Sequence, residues 1–267
     1  MYTNQEMFPG SGSPSAIEAL NQLPSVRVAG VPLIAADAHE VLDCLSAAAM
    51  EMNGVGLAVH FVNAFTVSLT AKEEYLRVFN DDALNFADGT PLAWFAQRTG
   101  RKVAHVRGPD AFRRMLASDP SRGLRHFLLG GTEESLARLT TTIAREYPSA
   151  SVVGACSPPF RPLVADDLKQ IDEQIARSGA NVIWVGIGTP KQDYEVARLA
   201  RNHPAVVLAV GAAFNFVSGD VIEAPARWRR TGMEWLYRLM REPRRLWRRY
   251  LIGNIQFIFF AITRRGN

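Results

Sequence analysis

The chain of 267 residues is 48% hydrophobic and 21% charged, a near-average globular balance that excludes disorder, collagen and a coiled coil as descriptions of the whole. Its net charge of +4 is unevenly divided: residues 225–267 carry 11 arginines, no lysine and two acids, a balance of +9, while residues 1–224 carry 19 basic and 24 acidic residues, a balance of −5. Such a tail points to phosphate, on a nucleic acid or on a membrane surface. The two cysteines, Cys44 and Cys156, have no paired spacing, which excludes a disulfide framework and suits a reducing compartment.

Residues 1–24 read as a flexible leader. The opening MYTNQEMFPGSGSPS has neither the positive n-region nor the apolar h-region of a signal peptide, so the protein is expected to stay in the cytoplasm. Apolar, β-rich runs at 55–62, 126–129, 151–155, 182–187 and 206–210 read as strands, and 37–52, 73–79, 110–117, 133–147, 166–178 and 191–202 as helices. Continuously hydrophobic strands alternating with helices predict a layered α/β core over 25–224, with a mostly parallel, Rossmann-like sheet and ligands at the carboxyl ends of its strands. Everything after Pro225 is predicted helical, broken once at Pro243, which makes 225–267 a basic, aromatic appendage.

Three strand ends carry chemistry. Asp88, in Phe86-Ala87-Asp88-Gly89-Thr90-Pro91, follows a short apolar run and is well placed as a general base, although Asp-Gly is also a common turn and Asp a common helix cap. Leu129-Gly130-Gly131-Thr132 is a second strand end that could face a nucleotide, more readily read as an ordinary strand-to-helix connection. In Gly186-Ile187-Gly188-Thr189-Pro190-Lys191-Gln192, Thr189 is the predicted N-cap and Pro190 the first helical residue, so helix N–H groups would face a diphosphate or uracil, with Lys191 adding charge and Gln192 an amide. The bland alternative there is a well-capped helix start, since the third glycine of the dinucleotide fingerprint is missing.

No GxxxxGK[ST], GxSxG or HExxH motif is present, and the five histidines are scattered, so neither a metal nor a cofactor is expected. The adjacent pairs Asp81-Asp82 and Asp166-Asp167 read as solvated or capping acids. Charge on a leaving diphosphate would then fall to arginines and helix N-termini. The apolar segment 250–262 is too short to span a bilayer comfortably, and it lies between Arg248-Arg249 and Arg264-Arg265 with Trp235, Tyr237, Trp247 and Tyr250 upstream. That pattern suits the headgroup plane of a membrane, or else a helix packed on the core with solvated arginines.

The succession VNAFTVSL (62–69), FADG (86–89), FLLGG (127–131), VGIGTPKQD (185–193), VGAAFNFVSG (210–219) and EAPARWRRTGMEWLYRLMREPRR (223–245) resembles the WecG/TagA/CpsF bacterial glycosyltransferases over about residues 26–250, with GMEWLYRLMREP its most specific part. The resemblance implies transfer of a sugar, often N-acetylmannosamine, from a UDP-sugar to a polyprenyl-diphosphate-linked sugar in cell-surface polysaccharide or teichoic acid synthesis. It implies no metal, and a helical appendage that completes the site and touches the anionic inner face of the cell membrane, so that the protein would be cytoplasmic and peripheral. A homo-oligomer is compatible with it. Carried over residue by residue, the catalytic aspartate falls on Asp88, the asparagine on Asn63, the glutamine on Gln192, beside Gly188 and Thr189, and the appendage arginines on Arg238, Arg245 and Arg248. His105 stands where the family's arginine is expected, with Arg107 two places later as its substitute; Phe61, Glu223, Asp193 and Asn215 are the other departures.

Single displacement with inversion follows, Asp88 removing the acceptor proton while the arginines and the helix start at Thr189 offset charge on departing UDP. Two further readings are a UDP-glucuronic acid or UDP-glucose transferase and, from another class, a non-catalytic nucleic-acid-binding α/β protein with a basic tail. The aromatic content of the tail and the acid at a strand end weigh against the last, so nucleic acid is not an expected partner.

Overall fold

A computed structural model describes residues 15–98, 100–118, 120–231 and 233–264, with the side chains of Pro120, Arg230 and Arg245 outside the described set. Of the expected leader, residues 1–14 lie outside it, and the boundary at 24 is too late. Ala16–Asn21 is a helix, α1, closed by a reciprocal capping box in which the Ser15 hydroxyl accepts the Glu18 N–H and the Glu18 carboxylate accepts the Ser15 N–H. Ala16 and Leu20 are buried in the main core, which a flexible leader could not achieve.

A hairpin of β1 (Ser25–Val28) and β2 (Val31–Ile34) precedes α2 (Ala38–Glu51), whose N-cap is Asp37. Then come β3 (Leu57–Val62), α3 (Ala64–Leu69), α4 (Glu73–Asn80), β4 (Ala83–Ala87), α5 (Thr90–Gln97) and α6 (Gly108–Leu116). The second half runs β5 (Arg125–Gly130), α7 (Glu133–Glu146), β6 (Ser151–Cys156), α8 (Ala165–Ser178), β7 (Val182–Gly186), α9 (Lys191–Asn202), β8 (Val206–Ala209) and α10 (Ala213–Val217). The tail is α11 (Ala226–Arg230), α12 (Glu234–Arg241) and α13 (Pro243–Thr263). The expected break at Pro243 is present, Pro243 being the first residue of α13, and a second break separates α11 from α12.

Six strands form one sheet in the order β4-β3-β8-β7-β5-β6, every pairing parallel, as expected for a Rossmann-like layered fold. Parallel strands covered on both faces must be apolar throughout, and β8, Val-Val-Leu-Ala, is buried at every position. One face packs Leu45, Phe112, Trp184 and Leu208 under α2, α6 and α7; the other packs Phe127, Ile183, Val196 and Leu199 under α8 and α9. A third cluster joins the hairpin, α4, α5 and α13 through Val31, Leu33, Tyr75, Leu92, Phe257 and Ala261. The appendage therefore continues the core: α13 lies on α3, and the stripe Leu246, Gly253, Phe257 and Ala261 faces inward at helical spacing.

Candidate active site

Strands β3 and β4 end together. Val62 is registered with Ala87, and the Asp88 N–H donates to the Val62 carbonyl at 2.7 Å, so Asn63 and Asp88 leave the sheet side by side. Gly89, at φ +97°, turns the chain into α5 and is itself the N-cap residue, with no side chain bonded to the cap. Asp88 therefore caps nothing. Asn63 does cap: its Oδ1 accepts from the Thr66 N–H at 3.1 Å and the Thr66 hydroxyl at 3.3 Å, which directs its carbonyl end into α3 and leaves the amide nitrogen to donate.

On the outer side of β4 runs the segment 103–106. The Ala87 N–H donates to the Ala104 carbonyl and the Val106 N–H to the Ala87 carbonyl, and this ladder delivers Arg107 to the neighbourhood of Asp88. Helices α12 and α13 bring cationic groups to the same carboxylate. Arg238 lies 5.5 Å from the Phe216 ring centroid, with its Nε buried and unpartnered, and Arg249 lies 4.4 Å over the Phe65 ring. Loss of solvent pushes Asp88 up to about 7; Arg107, Arg238 and Arg249 pull the other way, and Glu234 adds to the rise. Tyr250 belongs to the same group, its phenol raised chiefly by burial while Arg238 and Arg249 oppose the shift.

Arg107 is not an open cation. Its Nη2 meets Glu223 at 2.7 Å, its Nε and Nη2 meet Glu234 at 2.9 and 3.1 Å, and Asp110 lies 3.3 Å from Nη1. Burial is the largest influence on Arg107 and would lower its pKa, but these carboxylates together hold it above the usual value. Glu223 is shared with Arg113 at 2.7 Å and Arg229 at 3.5 Å, so the acid at this departure from the family pattern is neutralised by three arginines. Phe61 turns into the core, stacked on Phe86 with centroids 5.4 Å apart. Asp193 is buried between the Tyr75 hydroxyl, 2.8 Å away, and His60 Nδ1, 3.2 Å away.

Three strand places from β4, about 14 Å at the usual interstrand spacing, lies the turn after β7. Here the expected capping is corrected. The Thr189-Pro190 peptide is cis, and Pro190, not Thr189, is the N-cap residue of α9, its carbonyl accepting the Asp193 and Tyr194 N–H groups. Gln192 is buried, and its Oε1 accepts the Gly188 N–H at 3.2 Å, which shapes the turn. Gly188, at φ +85°, has nothing within 4 Å of the position a Cβ would take, so its backbone faces open space. Gly130 differs: a Cβ there would meet the Gly186 carbonyl carbon at 2.6 Å, so this glycine serves strand packing. Thr132 caps α7 by accepting the Ser135 N–H, which makes that loop an ordinary connection.

Of the appendage arginines expected at the site, Arg238 is there, Arg248 is exposed beside Trp247 on the outward side of α13, and the side chain of Arg245 lies outside the described residues. Sequence reasoning missed Arg249, Tyr250 and Glu234. The signal for the first two was the inward stripe itself, because Arg249 and Tyr250 fall three and four residues after buried Leu246. Among the described residues no group of three or more His, Cys, Asp or Glu could hold a metal ion, and no helix is long and apolar enough to cross a membrane.

One proton-affine carboxylate among arginines at the carboxyl edge of a parallel sheet is the equipment of a group-transfer enzyme with an anionic leaving group. The family model of the glycosyl transferase WecG/TagA/CpsF family matches residues 26–267, nearly the whole chain, and the protein belongs to that family. It is a glycosyl transferase.

Proposed function

We propose that the protein moves a sugar, N-acetylmannosamine first among candidates, from a UDP-sugar to a polyprenyl-diphosphate-linked sugar in cell-surface polysaccharide or teichoic acid synthesis. The observation that carries this reading is Asp88, a carboxylate that caps no helix and is held near neutrality in proton affinity between arginines of the core and of the appendage. Asp88 takes the proton of the acceptor hydroxyl as that oxygen bonds to the anomeric carbon; the bond from that carbon to the diphosphate oxygen breaks, and UDP leaves with inversion. Arg238 and Arg249 offset the charge arriving on the diphosphate, and the Asn63 amide donates a hydrogen bond beside the base.

The open backbone at Gly188, shaped by Gln192, suits the nucleotide end of the donor, with Thr189 beside it. Arg107 reaches the diphosphate by exchanging one of its carboxylate partners for a phosphate oxygen. Helix α13 closes the site against water, whose entry would hydrolyse the donor. Its outward face carries Trp247, Leu251, Ile255, Ile258, Phe259 and Ile262 together with Arg248, which suits contact with an anionic membrane at its inner face, where the lipid acceptor resides.

The test is a donor screen that measures UDP release from UDP-N-acetylmannosamine, UDP-glucuronic acid and UDP-glucose with a short-chain polyprenyl-diphosphate-sugar. Acceptor-dependent release from the first supports the reading. Release from either of the others moves the donor to an acidic or neutral hexose, and none from any of them overturns it.

A further inference from the structure

Behind Asp88 lies a carboxylate, Glu234, to which the transfer itself assigns no step. Residues 225–267 hold only two acids among 11 arginines, and one of the two, Glu234, is directed at the site. It is the first residue of α12, and it meets the guanidinium of Arg107 at two points, Nε at 2.9 Å and Nη2 at 3.1 Å. The Arg107 side chain is only 14% exposed, so this two-point pair has little competition from water. Core and appendage are thus joined through a group that also acts on Asp88.

The groups facing Asp88 come from four elements: Arg107 at the start of α6, Glu234 and Arg238 on α12, Arg249 and Tyr250 on α13, and the neutral Asn63 at the end of β3. Three arginines around one carboxylate would ordinarily hold it ionised and weakly basic. A carboxylate on Arg107 withdraws part of that field. Glu234 can do so only while α12 is seated.

We propose that Glu234 is a positioning residue for the transfer: by pairing with Arg107 at two points it seats α12 over the strand ends and shields Asp88 from the Arg107 charge. The aspartate then becomes a strong base only when the appendage is docked. In an undocked chain Asp88 would regain solvent, the largest influence on it, and lose Glu234, Arg238 and Arg249 together, reverting to an ordinary carboxylate. Donor bound before closure would meet a weak base and survive. This inference rests on the reading of Asp88 as the base.

The experiment is a carboxyl-carbon NMR titration of the full chain labelled at aspartate, with the Asp88 signal identified by its absence in Asp88→Asn. In the unaltered protein that signal should titrate near 7. Glu234→Gln should lower the midpoint by about 1 pH unit, while Glu234→Asp, which keeps the charge, should restore most of it. Glu223→Gln, which removes a partner of Arg107 that lies outside α12, should shift the midpoint less than Glu234→Gln does. In the transfer assay the acidic limb of kcat/KM should move down with the Glu234→Gln midpoint. A Glu234→Gln midpoint that stays near 7, or a Glu234→Asp midpoint as low as that of Glu234→Gln, overturns the proposal. The titration needs no turnover: if Asp88→Asn keeps full activity, the base assignment fails while the carboxyl midpoints still judge the role of Glu234.

Discussion

Asp88 is asked to do two opposing things, to sit where water is scarce and to carry a charge when the acceptor arrives. Replacing it with Asn keeps the shape and removes the base, so turnover should fall by roughly a hundredfold or more with donor binding retained. Near-normal turnover would remove Asp88 from the mechanism. Stability should move the other way. The folded-state pKa is raised to about 7 from an ordinary 3.8, so the contribution of protonated Asp88 is full below about pH 4 and is lost as pH rises through 7. Asp88→Asn should accordingly raise Tm at pH 8, with the gain shrinking toward pH 4. A fall in Tm at pH 8 would mean that the side chain holds the turn together. The sequence could not choose between cap and base, because both place an acid ahead of a helix; Gly89 as the N-cap residue of α5 removed the first. Transfer should also survive EDTA, since the acids near the site are paired with arginines; loss of activity to chelator with rescue by manganese would refute this.

Among the elements, α13 decides whether the site exists. Its seat on α3 depends on Gly253, where a Cβ would already lie 3.4 Å from Phe65 Cδ2 and 3.5 Å from Ser68 Oγ. Gly253→Leu should therefore lift the helix, withdraw Arg249 and Tyr250 from Asp88 and abolish transfer, while circular dichroism shows a folded core. Retained activity in that variant would mean that the appendage arginines are dispensable. The helices α2, α4, α6, α7, α8 and α9 were legible from their period and the long strands from their continuous apolar runs, whereas α3 and α10, of six and five residues, are too short to show a helical period. The hairpin strands, four residues each, stand at the lower limit of the window in which alternation can be recognised. Position within a helix was harder still. An α-helix turns about 100° per residue, so choosing Arg248 over Arg249 moves the cation from the acid to the outer face.

For the whole molecule, the division of charge and the outward face of α13 argue for one surface. Ile255 is 63% exposed and Ile258 48%, with Leu251 and Ile262 on the same stripe at helical spacing. The double change Ile255→Glu and Ile258→Glu should abolish binding to phosphatidylserine vesicles and leave transfer to a water-soluble acceptor intact. Arg248→Ala should weaken vesicle binding by about 1 kcal/mol, roughly fivefold. Unchanged vesicle binding in both variants would show that this face meets something other than lipid.

What the sequence determined by itself follows from information that is local in the chain. Periodicity gave the βαβ alternation, composition gave the basic tail, and the motifs from FADG to GMEWLYRLMREP pointed to the family that the match over 26–267 established. What only the tertiary structure decided depends on residues distant in sequence. Arg107 and Glu234 are 127 positions apart, Asp193 and His60 133 apart, and no spacing rule relates them. Sequence locates an ionisable group on an element, but the proton affinity of that group depends on which charges surround it and how much water is excluded, and both are set when α12 and α13 fold back over the ends of β3 and β4.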